Sequence, residues 1–210
     1  MYTLYYSPGA ASLAVHWMLL ETGAAYALER VDMDGKQQKT PEYLKLNPFG
    51  VVPTLIVDGE PMFESSALVM ILAEREAQAK LAPAPGDPDR ATYLQWMLHL
   101  ANSVQPAFRA WWYPHEPAGE AHKAIAQDAA RVRIEAEWDR LDAHLAARGP
   151  YMLGASFSAA DVFAVMLMRW SRNMPRPATS WPHLNALAEL ARARPAFKAL
   201  YEREGLTEWA

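Results

Sequence analysis

A proline-rich segment divides the chain into two stretches with different patterns of apolar residues. Residues 81–90 read LAPAPGDPDR and contain three prolines and one glycine, a composition that cannot continue a helix. Before this segment, short apolar patterns alternate between strand and helix spacing, and after it they have helix spacing only. We therefore predict an α/β domain over residues 1–80, a linker over 81–88 and an all-helical domain over 89–210.

The first 80 residues predict elements in the order βαβαββα. Strand and helix patterns alternate over residues 2–6, 12–23 and 26–32. A short helix follows in TPEYLKLNP, with Thr40 as its cap and Pro41 at its first position. Two short apolar runs joined by Asp58 and Gly59 predict a hairpin, and ESSALVMILAERE predicts a closing helix. This order is typical of helices packed on a small mixed sheet.

The second stretch predicts helices only, over residues 89–113, 120–147, 158–172 and 183–204. One helix start is well specified. In FSAADV, Ser158 can cap the helix, and Asp161 follows three residues later, where its side chain can reach back to free backbone donors. We assign Asp161 to this capping role and expect no chemistry from it.

Composition argues against several classes of function. The formal net charge of -4 does not favour a nucleic-acid partner. No apolar run approaches the roughly 20 residues that cross a bilayer, and the N-terminus lacks a signal pattern, so we expect a cytoplasmic protein without a membrane partner. Cysteine is absent, which excludes disulfides and thiolate ligands. The six histidines form no ligand pattern, so we expect no metal.

Three features of the first stretch predict a peptide-like ligand with a carboxylate. In VVPT, a cis bond before Pro53 would expose the backbone of Val52 for pairing. Glu64 and Ser65 open a helix, whose free N–H groups and dipole attract a carboxylate. In YYSPGAASL, a Pro-Gly turn delivers Ser12 to another helix start. Each feature also has a structural explanation, namely a proline at a strand start and a plain helix cap at each serine.

Taken together, these motifs resemble those of the cytosolic glutathione transferases. YYSPGAASL, NPFGVVPTL and FESSAL, followed by SFSAADV in the helical half, occur in the order typical of that family. The resemblance covers essentially the whole chain and is closest to the bacterial beta-type members. It implies a thioredoxin-like glutathione domain, a helical domain with a second-substrate pocket, and a homodimer. Phe49 lies where some classes place an aromatic key for the partner subunit, although a buried core phenylalanine is the alternative.

The resemblance also implies how glutathione would be held. Val52, beside a cis Pro53, would pair through its backbone with the cysteinyl part of glutathione. Glu64 and Ser65 would hold the γ-glutamyl end. Lys39 belongs to the loop KQQK, residues 36–39, where family members often contact the glycyl carboxylate.

Two departures from the beta-type pattern bear on the chemistry. The beta-type loop carries a cysteine just before its serine, and here that position is Ala11. In ANSVQPAF, Gln105 and Pro106 replace a His-Lys pair that is common in beta-type proteins. Both losses argue against mixed-disulfide and thiol-oxidoreductase chemistry. They leave conjugation, or another addition of a thiolate, as the expected reaction.

The turn in YYSPGAASL holds several hydroxyl side chains but no cysteine. This composition is expected if the ligand supplies the thiol. A free thiol has a pKa near 8.5, and lowering it by two units requires about 2.7 kcal/mol. One hydrogen bond to a charged group contributes roughly 1.5–3 kcal/mol. We expect Ser12 to donate this bond, with Tyr6 as the second candidate and Ser7 or backbone N–H groups as further ones. The small side chain of Ala10 would let the ligand approach.

The stretch RAWWYPHEP, residues 109–117, supplies candidates for the second-substrate pocket. Trp112 and Tyr113 could form an aromatic wall for a flat electrophile, and Arg109 could steer an anionic substrate. Ala10 would border the pocket from the first domain. The alternatives are a helix end packed on the core and a solvated arginine.

The leading interpretation is a glutathione transferase that activates the glutathione thiolate for attack on a small hydrophobic electrophile, as in detoxification. Glutathione would be the co-substrate. The enzymatic alternative is a glutathione-dependent isomerase or peroxidase that uses the same thiolate. A non-catalytic protein of this fold, acting by partner binding, is the alternative from a different class.

Overall fold

The computed structural model describes residues 1–209 of the chain. Its strands are Tyr2–Tyr6 (β1), Tyr26–Arg30 (β2), Thr54–Val57 (β3) and Glu60–Met62 (β4). Helices among these strands and just after them are Ser12–Thr22 (α1), Pro41–Leu44 (α2) and Ser65–Arg75 (α3). The later helices are Arg90–His99 (α4), Gln105–Trp112 (α5), His115–Ala118 (α6), Lys123–Arg148 (α7), Ala159–Trp170 (α8), Pro182–Arg192 (α9) and Pro195–Glu204 (α10). A π-helical turn, Leu100–Val104, joins α4 to α5.

The sheet is built around β1. Its strand order is β2-β1-β3-β4. β1 pairs parallel with β2, with Tyr2 opposite Tyr26, and antiparallel with β3, with Thr3 opposite Ile56. The parallel pair needs a crossover, which α1 supplies. The predicted order βαβαββα and a thioredoxin-like first domain followed by helices are confirmed.

Local sequence signals define several boundaries in this first part. Asp58 and Gly59 have φ angles of 54° and 89°, and positive φ at both central residues is what a two-residue hairpin turn of type I′ requires. The Thr40 hydroxyl caps α2 by accepting a bond of 3.4 Å from the Tyr43 N–H. α1 ends at Thr22 and is capped by Gly23, whose φ of 68° is the left-handed conformation that glycine adopts readily.

The chain forms two compact units. The first comprises Met1–Ala82 together with Arg192–Glu208, and the second comprises Pro83–Ala191 together with Trp209. The change of unit at Ala82 falls within the predicted linker over 81–88. The helical domain predicted over 89–210 differs from the second unit, because α10 belongs with the first.

α10 completes the core of the first unit. Trp17 of α1 is fully buried, and its ring lies 5.0 Å from that of Phe197, edge to face. The Arg194 guanidinium donates to both carboxylate oxygens of Glu21 at 2.6 and 2.7 Å. Helix α10 therefore covers apolar surface that α1 would otherwise expose.

The second unit is built around α8. Every residue from Ala159 to Arg169 is buried. The predicted capping box at the start of α8 is confirmed. The Asp161 carboxylate accepts from the backbone N–H groups of Ser158 at 2.8 Å and Met152 at 2.7 Å. None of the helices within residues 1–209 is both long and apolar enough to cross a membrane.

Two predicted helices are interrupted. The helix predicted over 89–113 contains the π turn before α5, and Pro106 explains the irregularity because it has no N–H to donate to the carbonyl four residues earlier. The helix predicted over 183–204 is two helices. Arg194 is extended, with φ -69° and ψ 137°, because a residue before proline is disfavoured in the helical conformation.

Candidate active site

The segment before β3 offers an unpaired stretch of backbone. The Val52–Pro53 bond is cis. Neither the N–H nor the C=O of Val52 has a hydrogen-bond partner within residues 1–209. The preceding carbonyl is fixed instead, because Val51 accepts from the Tyr43 hydroxyl at 2.8 Å and from the Asn47 amide at 2.9 Å. A firmly held loop thus presents one donor and one acceptor suited to an extended peptide.

The side chains beneath this loop form a small apolar cluster. Val52 is buried against Val31 and Tyr43. Half-buried side chains pack on this group, namely Tyr5, Ala10 and Met33. Burial raises the pKa of Tyr43, so its hydroxyl stays protonated and can donate to the loop. The structure therefore brings Ala10, from the turn after β1, to the same cluster as Val52.

The start of α3 carries backbone strain. Glu64, just before the helix, has φ 72° and ψ 102°, a conformation that costs a non-glycine residue on the order of 1–3 kcal/mol. Its own side chain makes no capping bond. Ser65 is buried at the first position of the helix, at the positive end of the helix dipole. Strain of this kind is concentrated at binding sites, which supports the predicted carboxylate site at Glu64 and Ser65.

Ser12 closes the turn between β1 and α1. Its side chain is fully buried. The hydroxyl donates to the Ser7 carbonyl at 3.0 Å and accepts from the Ser7 N–H at 3.2 Å. Ser12 is the first residue of α1, and Ala11 occupies the cap position, so the alternative of a plain cap at Ser12 is wrong. A bond from Ser12 to a bound sulfur would require its hydroxyl to give up the Ser7 carbonyl.

Tyr6, the other predicted donor, is differently placed. It is the last residue of β1 and is buried, with its ring 5.9 Å from that of His16. No hydrogen bond joins its hydroxyl to any residue of the part that the structure describes. Tyr6 can therefore donate to a ligand without breaking a bond within the protein.

A buried network that the sequence did not predict holds the same turn from behind. Glu204 of α10 accepts from the Gly9 N–H at 2.9 Å and pairs with His16 Nδ1 at 2.8 Å. The side chains of His16 and Glu204 are fully buried. His16 Nε2 lies 3.2 Å from the Tyr26 hydroxyl, which also accepts from Arg203. The one available signal was a histidine within the apolar run SLAVHWMLL, whose partner is 188 residues away.

The sequence matches known proteins over most of the chain. The family model for the N-terminal domain of glutathione S-transferases matches residues 1–74, and that for the C-terminal domain matches residues 124–203. Glutathione S-transferase 3 of Zea mays is 30% identical over 206 residues, which cover 94% of this chain and 90% of the maize protein. The chain belongs to the glutathione S-transferase family.

Solved structures agree with this assignment. A sphingomonad glutathione S-transferase complexed with glutathione is 32% identical, with a TM-score of 0.84, and the match covers 98% of this chain and 100% of the other. The bacterial beta-class glutathione S-transferase of Sphingomonas chungbukensis is 29% identical, also with a TM-score of 0.84, over 98% and 100% of the two chains. The predicted resemblance to bacterial beta-type members is confirmed, and this family member contains no cysteine.

In this transferase-family chain, the KQQK loop lies against the segment that precedes Val52. Lys39 Nζ donates to the Phe49 carbonyl at 3.2 Å. A Cβ at Gly50 would lie 2.7 Å from the Gln38 carbonyl, so only glycine permits this close approach. Lys39 is exposed and has two further ammonium protons to donate.

Phe49 is not a core residue. Its side chain is 63% exposed, and its ring lies 5.3 Å from Phe63, edge to face. The predicted alternative of a buried core phenylalanine is therefore wrong. An aromatic side chain this exposed is available to a partner subunit.

The second-substrate candidates are divided between the two units of this family member. Ala10 is in the first unit, whereas the other three lie at the end of α5 in the second, namely Arg109, Trp112 and Tyr113. Trp112 and Tyr113 are 43% and 47% exposed, so they do not pack into the core. Arg109 is not simply solvated, because it binds both carboxylate oxygens of Glu116.

No cluster that could hold a metal ion occurs in the described part of the chain, counting groups of three or more histidine, cysteine, aspartate or glutamate residues.

Proposed function

We propose that this chain binds glutathione and ionises its thiol for attack on a small hydrophobic electrophile. The single observation that carries the proposal is the unpaired backbone of Val52, fixed in a firmly hydrogen-bonded loop beside the turn that opens α1. A peptide-like ligand would gain two main-chain hydrogen bonds there. The family assignment makes glutathione the ligand to test first.

The ends of glutathione have separate partners in this proposal. Ser65 and the first turn of α3 receive the γ-glutamyl carboxylate, which the helix dipole attracts. Glu64 pairs with the γ-glutamyl ammonium. Lys39 pairs with the glycyl carboxylate, and Pro53 shapes the loop that presents Val52.

The reaction converts a thiol into a thioether. The thiol proton passes to solvent, and the thiolate electron pair forms the new carbon–sulfur bond. With an aryl halide, the halide then leaves with the electron pair of the broken carbon–halogen bond. Ser12 and Tyr6 are the proposed donors to the sulfur, and Tyr6 is favoured as the direct donor because its hydroxyl has no competing bond.

The proposal extends to the electrophile and to the assembly. Arg109, Trp112 and Tyr113 contact the electrophile, and Ala10 leaves room for the thiol. Phe49 docks on a second copy of the chain to give a homodimer, which an equilibrium sedimentation experiment tests directly. We place the reaction in the cytoplasm, with detoxification as its role.

Calorimetric titration with glutathione between pH 5.5 and 8.5 tests the central claim. Repeating each titration in buffers of different ionisation enthalpy measures the protons released. We expect binding in the micromolar to millimolar range, with proton release near neutral pH. Binding without proton release would contradict thiol ionisation, and absence of binding would overturn the proposal.

Turnover assays then separate the possible reactions of the thiolate. An aryl halide reports conjugation, a maleyl-type diene acid reports isomerisation, and an organic hydroperoxide reports peroxide reduction. We expect conjugation to be fastest. A protein that binds glutathione yet turns over none of the three would instead be a carrier.

A further inference from the structure

An aromatic surface is exposed where α5 ends. Trp112 and Tyr113 are adjacent in sequence and among the most exposed large hydrophobic side chains of the second unit. The Tyr113 ring also meets His115 edge to face, with 6.4 Å between the ring centroids. Flat side chains of this size offer a stacking surface for an aromatic ligand.

A cation lies on this surface, but its charge is already paired. The Arg109 guanidinium carbon is 4.5 Å from the centroid of the Tyr113 ring. Its Nε and a terminal nitrogen donate to the two carboxylate oxygens of Glu116 at 2.7 and 2.5 Å. This fork-to-fork geometry is how arginine recognises a carboxylate or a sulfonate. Glu116 therefore occupies the position that the anionic group of a ligand would take.

Glu116 keeps its charge at neutral pH. The hydrogen bonds from Arg109 hold the pKa of the Glu116 carboxyl below its usual value. The other ion pair in this segment joins Lys123 to Glu120 at 2.7 Å and involves neither Arg109 nor Tyr113. Glu116 alone among the described residues neutralises Arg109.

The short helix α6 holds Glu116 in place. This four-residue helix lies between Pro114 and Gly119, and its carboxylate reaches back seven residues to Arg109. Both members of the pair are largely exposed. Exposed ion pairs contribute little to folding because water screens them, so neutralising Glu116 should leave the fold intact.

We propose that Glu116 is a specificity residue that occupies the guanidinium of Arg109 and so makes this surface select uncharged aromatic electrophiles over carboxylated or sulfonated ones. The inference rests on the proposed function, in which these side chains contact the electrophile. Neutralising Glu116 would convert the same surface into a site for aromatic anions. The exposed rings would stack on the ligand, and Arg109 would bind its charge.

Binding of two matched dyes tests the inference without any turnover. 8-Anilinonaphthalene-1-sulfonate is anionic, and N-phenyl-1-naphthylamine is the same framework without the sulfonate. We expect Glu116→Gln to bind the sulfonate at least five-fold more tightly than the parent chain at low ionic strength, with unchanged affinity for the uncharged dye. The gain should fade in high salt because screening weakens exposed charges.

Two further variants make the dye experiment specific. Glu120→Gln removes a carboxylate of the same segment that does not contact Arg109, and should leave both affinities unchanged. Adding Arg109→Gln to Glu116→Gln should abolish the gain for the sulfonate. Equal effects of Glu116→Gln and Glu120→Gln, or a gain that survives loss of Arg109, would overturn the inference.

A comparison of kcat/KM for two aryl chlorides, one anionic and one uncharged, tests the inference in catalysis. With glutathione, the ratio of kcat/KM for 4-chloro-3,5-dinitrobenzoate to that for 1-chloro-2,4-dinitrobenzene should rise at least five-fold in Glu116→Gln. An unchanged ratio in an active variant would contradict the inference while leaving the proposed function standing. Absence of turnover by the parent chain would instead contradict the proposed function. The dye affinities would still show whether Glu116 keeps anionic ligands from Arg109.

Discussion

At the scale of single residues, Ser12 and Tyr6 can be separated by their existing hydrogen bonds. Ser12→Ala removes the acceptor of the Ser7 N–H, whereas the Ser7 carbonyl keeps the bond from the Ala10 N–H at 3.2 Å, so we expect the unfolding free energy to fall by about 1–2 kcal/mol. Tyr6→Phe removes a hydroxyl with no partner in the described chain, so stability should change little. If Tyr6 donates to the sulfur, its loss should raise the pKa of bound glutathione by about one unit.

Two measurements on the same variants show whether Ser12 or Tyr6 donates to the glutathione sulfur. Urea unfolding gives stability, and ultraviolet absorbance of the thiolate gives the pKa of bound glutathione. A larger pKa change in Ser12→Ala than in Tyr6→Phe would restore Ser12 as the direct donor.

The motif YYSPGAASL identified both residues from the sequence. It could not reveal that the serine hydroxyl is already used, because that depends on how the turn closes.

The buried carboxyl of Asp161 should make the free energy of unfolding depend on pH. Burial raises the pKa of this carboxyl to about 6 despite its hydrogen bonds, against about 3.9 in an unfolded chain. The native state thus binds the proton more tightly than the unfolded state between about pH 4 and 6, and the contribution of Asp161 to stability falls as pH rises through that window. Two pKa units correspond to about 2.7 kcal/mol.

The comparison with Asp161→Asn isolates this titration, because other carboxyls change equally in both chains. Urea unfolding at several pH values should show the parent chain losing about 2–3 kcal/mol relative to the variant between pH 4 and 7. A difference that stays constant with pH would refute the raised pKa.

At the scale of elements, α10 is linked to the turn before α1 through Glu204. Glu204→Leu would remove the carboxylate that the Gly9 N–H and the buried His16 Nδ1 bind, and we expect a loss of about 3 kcal/mol. Glu204→Gln should cost less. The amide oxygen can still accept from Gly9, and its NH₂ can donate to Nδ1 if the imidazole proton moves to Nε2.

Urea unfolding of both variants measures these losses. Glu202→Leu is the matched control, because Glu202 lies on the same helix but is exposed. Equal stability losses at positions 202 and 204 would mean that the network does not stabilise the fold. Weaker glutathione binding in Glu204→Leu is also expected, since Gly9 lies in the proposed thiol turn.

Element types were predictable from the sequence where a local signal was strong. Asp58 and Gly59 required a hairpin, and Ser158 with Asp161 required a helix start. The division at Arg194 was also readable, since Pro195 disfavours the helical conformation just before it. The π turn was harder to predict, because Pro106 shows that a bond is missing but not how the helix accommodates the loss.

For the whole molecule, the sequence indicated two units through its proline-rich segment, but not the return of α10 to the first. Helical spacing shows which face of α10 is apolar. It does not show which surface that face covers. The decisive contacts, such as Phe197 on Trp17, join residues 180 positions apart in the chain. Their formation depends on tertiary packing that no local pattern encodes.

Because α10 packs within the first unit, we expect this C-terminal helix to be required for the proposed glutathione site. A chain ended at Ala191 retains residues 83–191 of the second unit but removes Phe197 and Glu204 from the first. The fully buried Trp17 then meets water, and the Gly9 N–H loses its bond to Glu204. Uncovering an aromatic side chain costs about 3 kcal/mol or more, a large fraction of the stability of a typical domain.

We therefore expect the shortened chain to lose glutathione binding and the cooperative unfolding of its first unit, while a chain ended at Leu206, which keeps α10, behaves like the parent. Calorimetry with glutathione and urea unfolding followed by circular dichroism measure the two properties. An unchanged glutathione affinity in the chain ended at Ala191 would show that the first 82 residues hold the site alone. The network through Glu204 would then be dispensable, and the division predicted at residues 81–88 would mark the functional boundary.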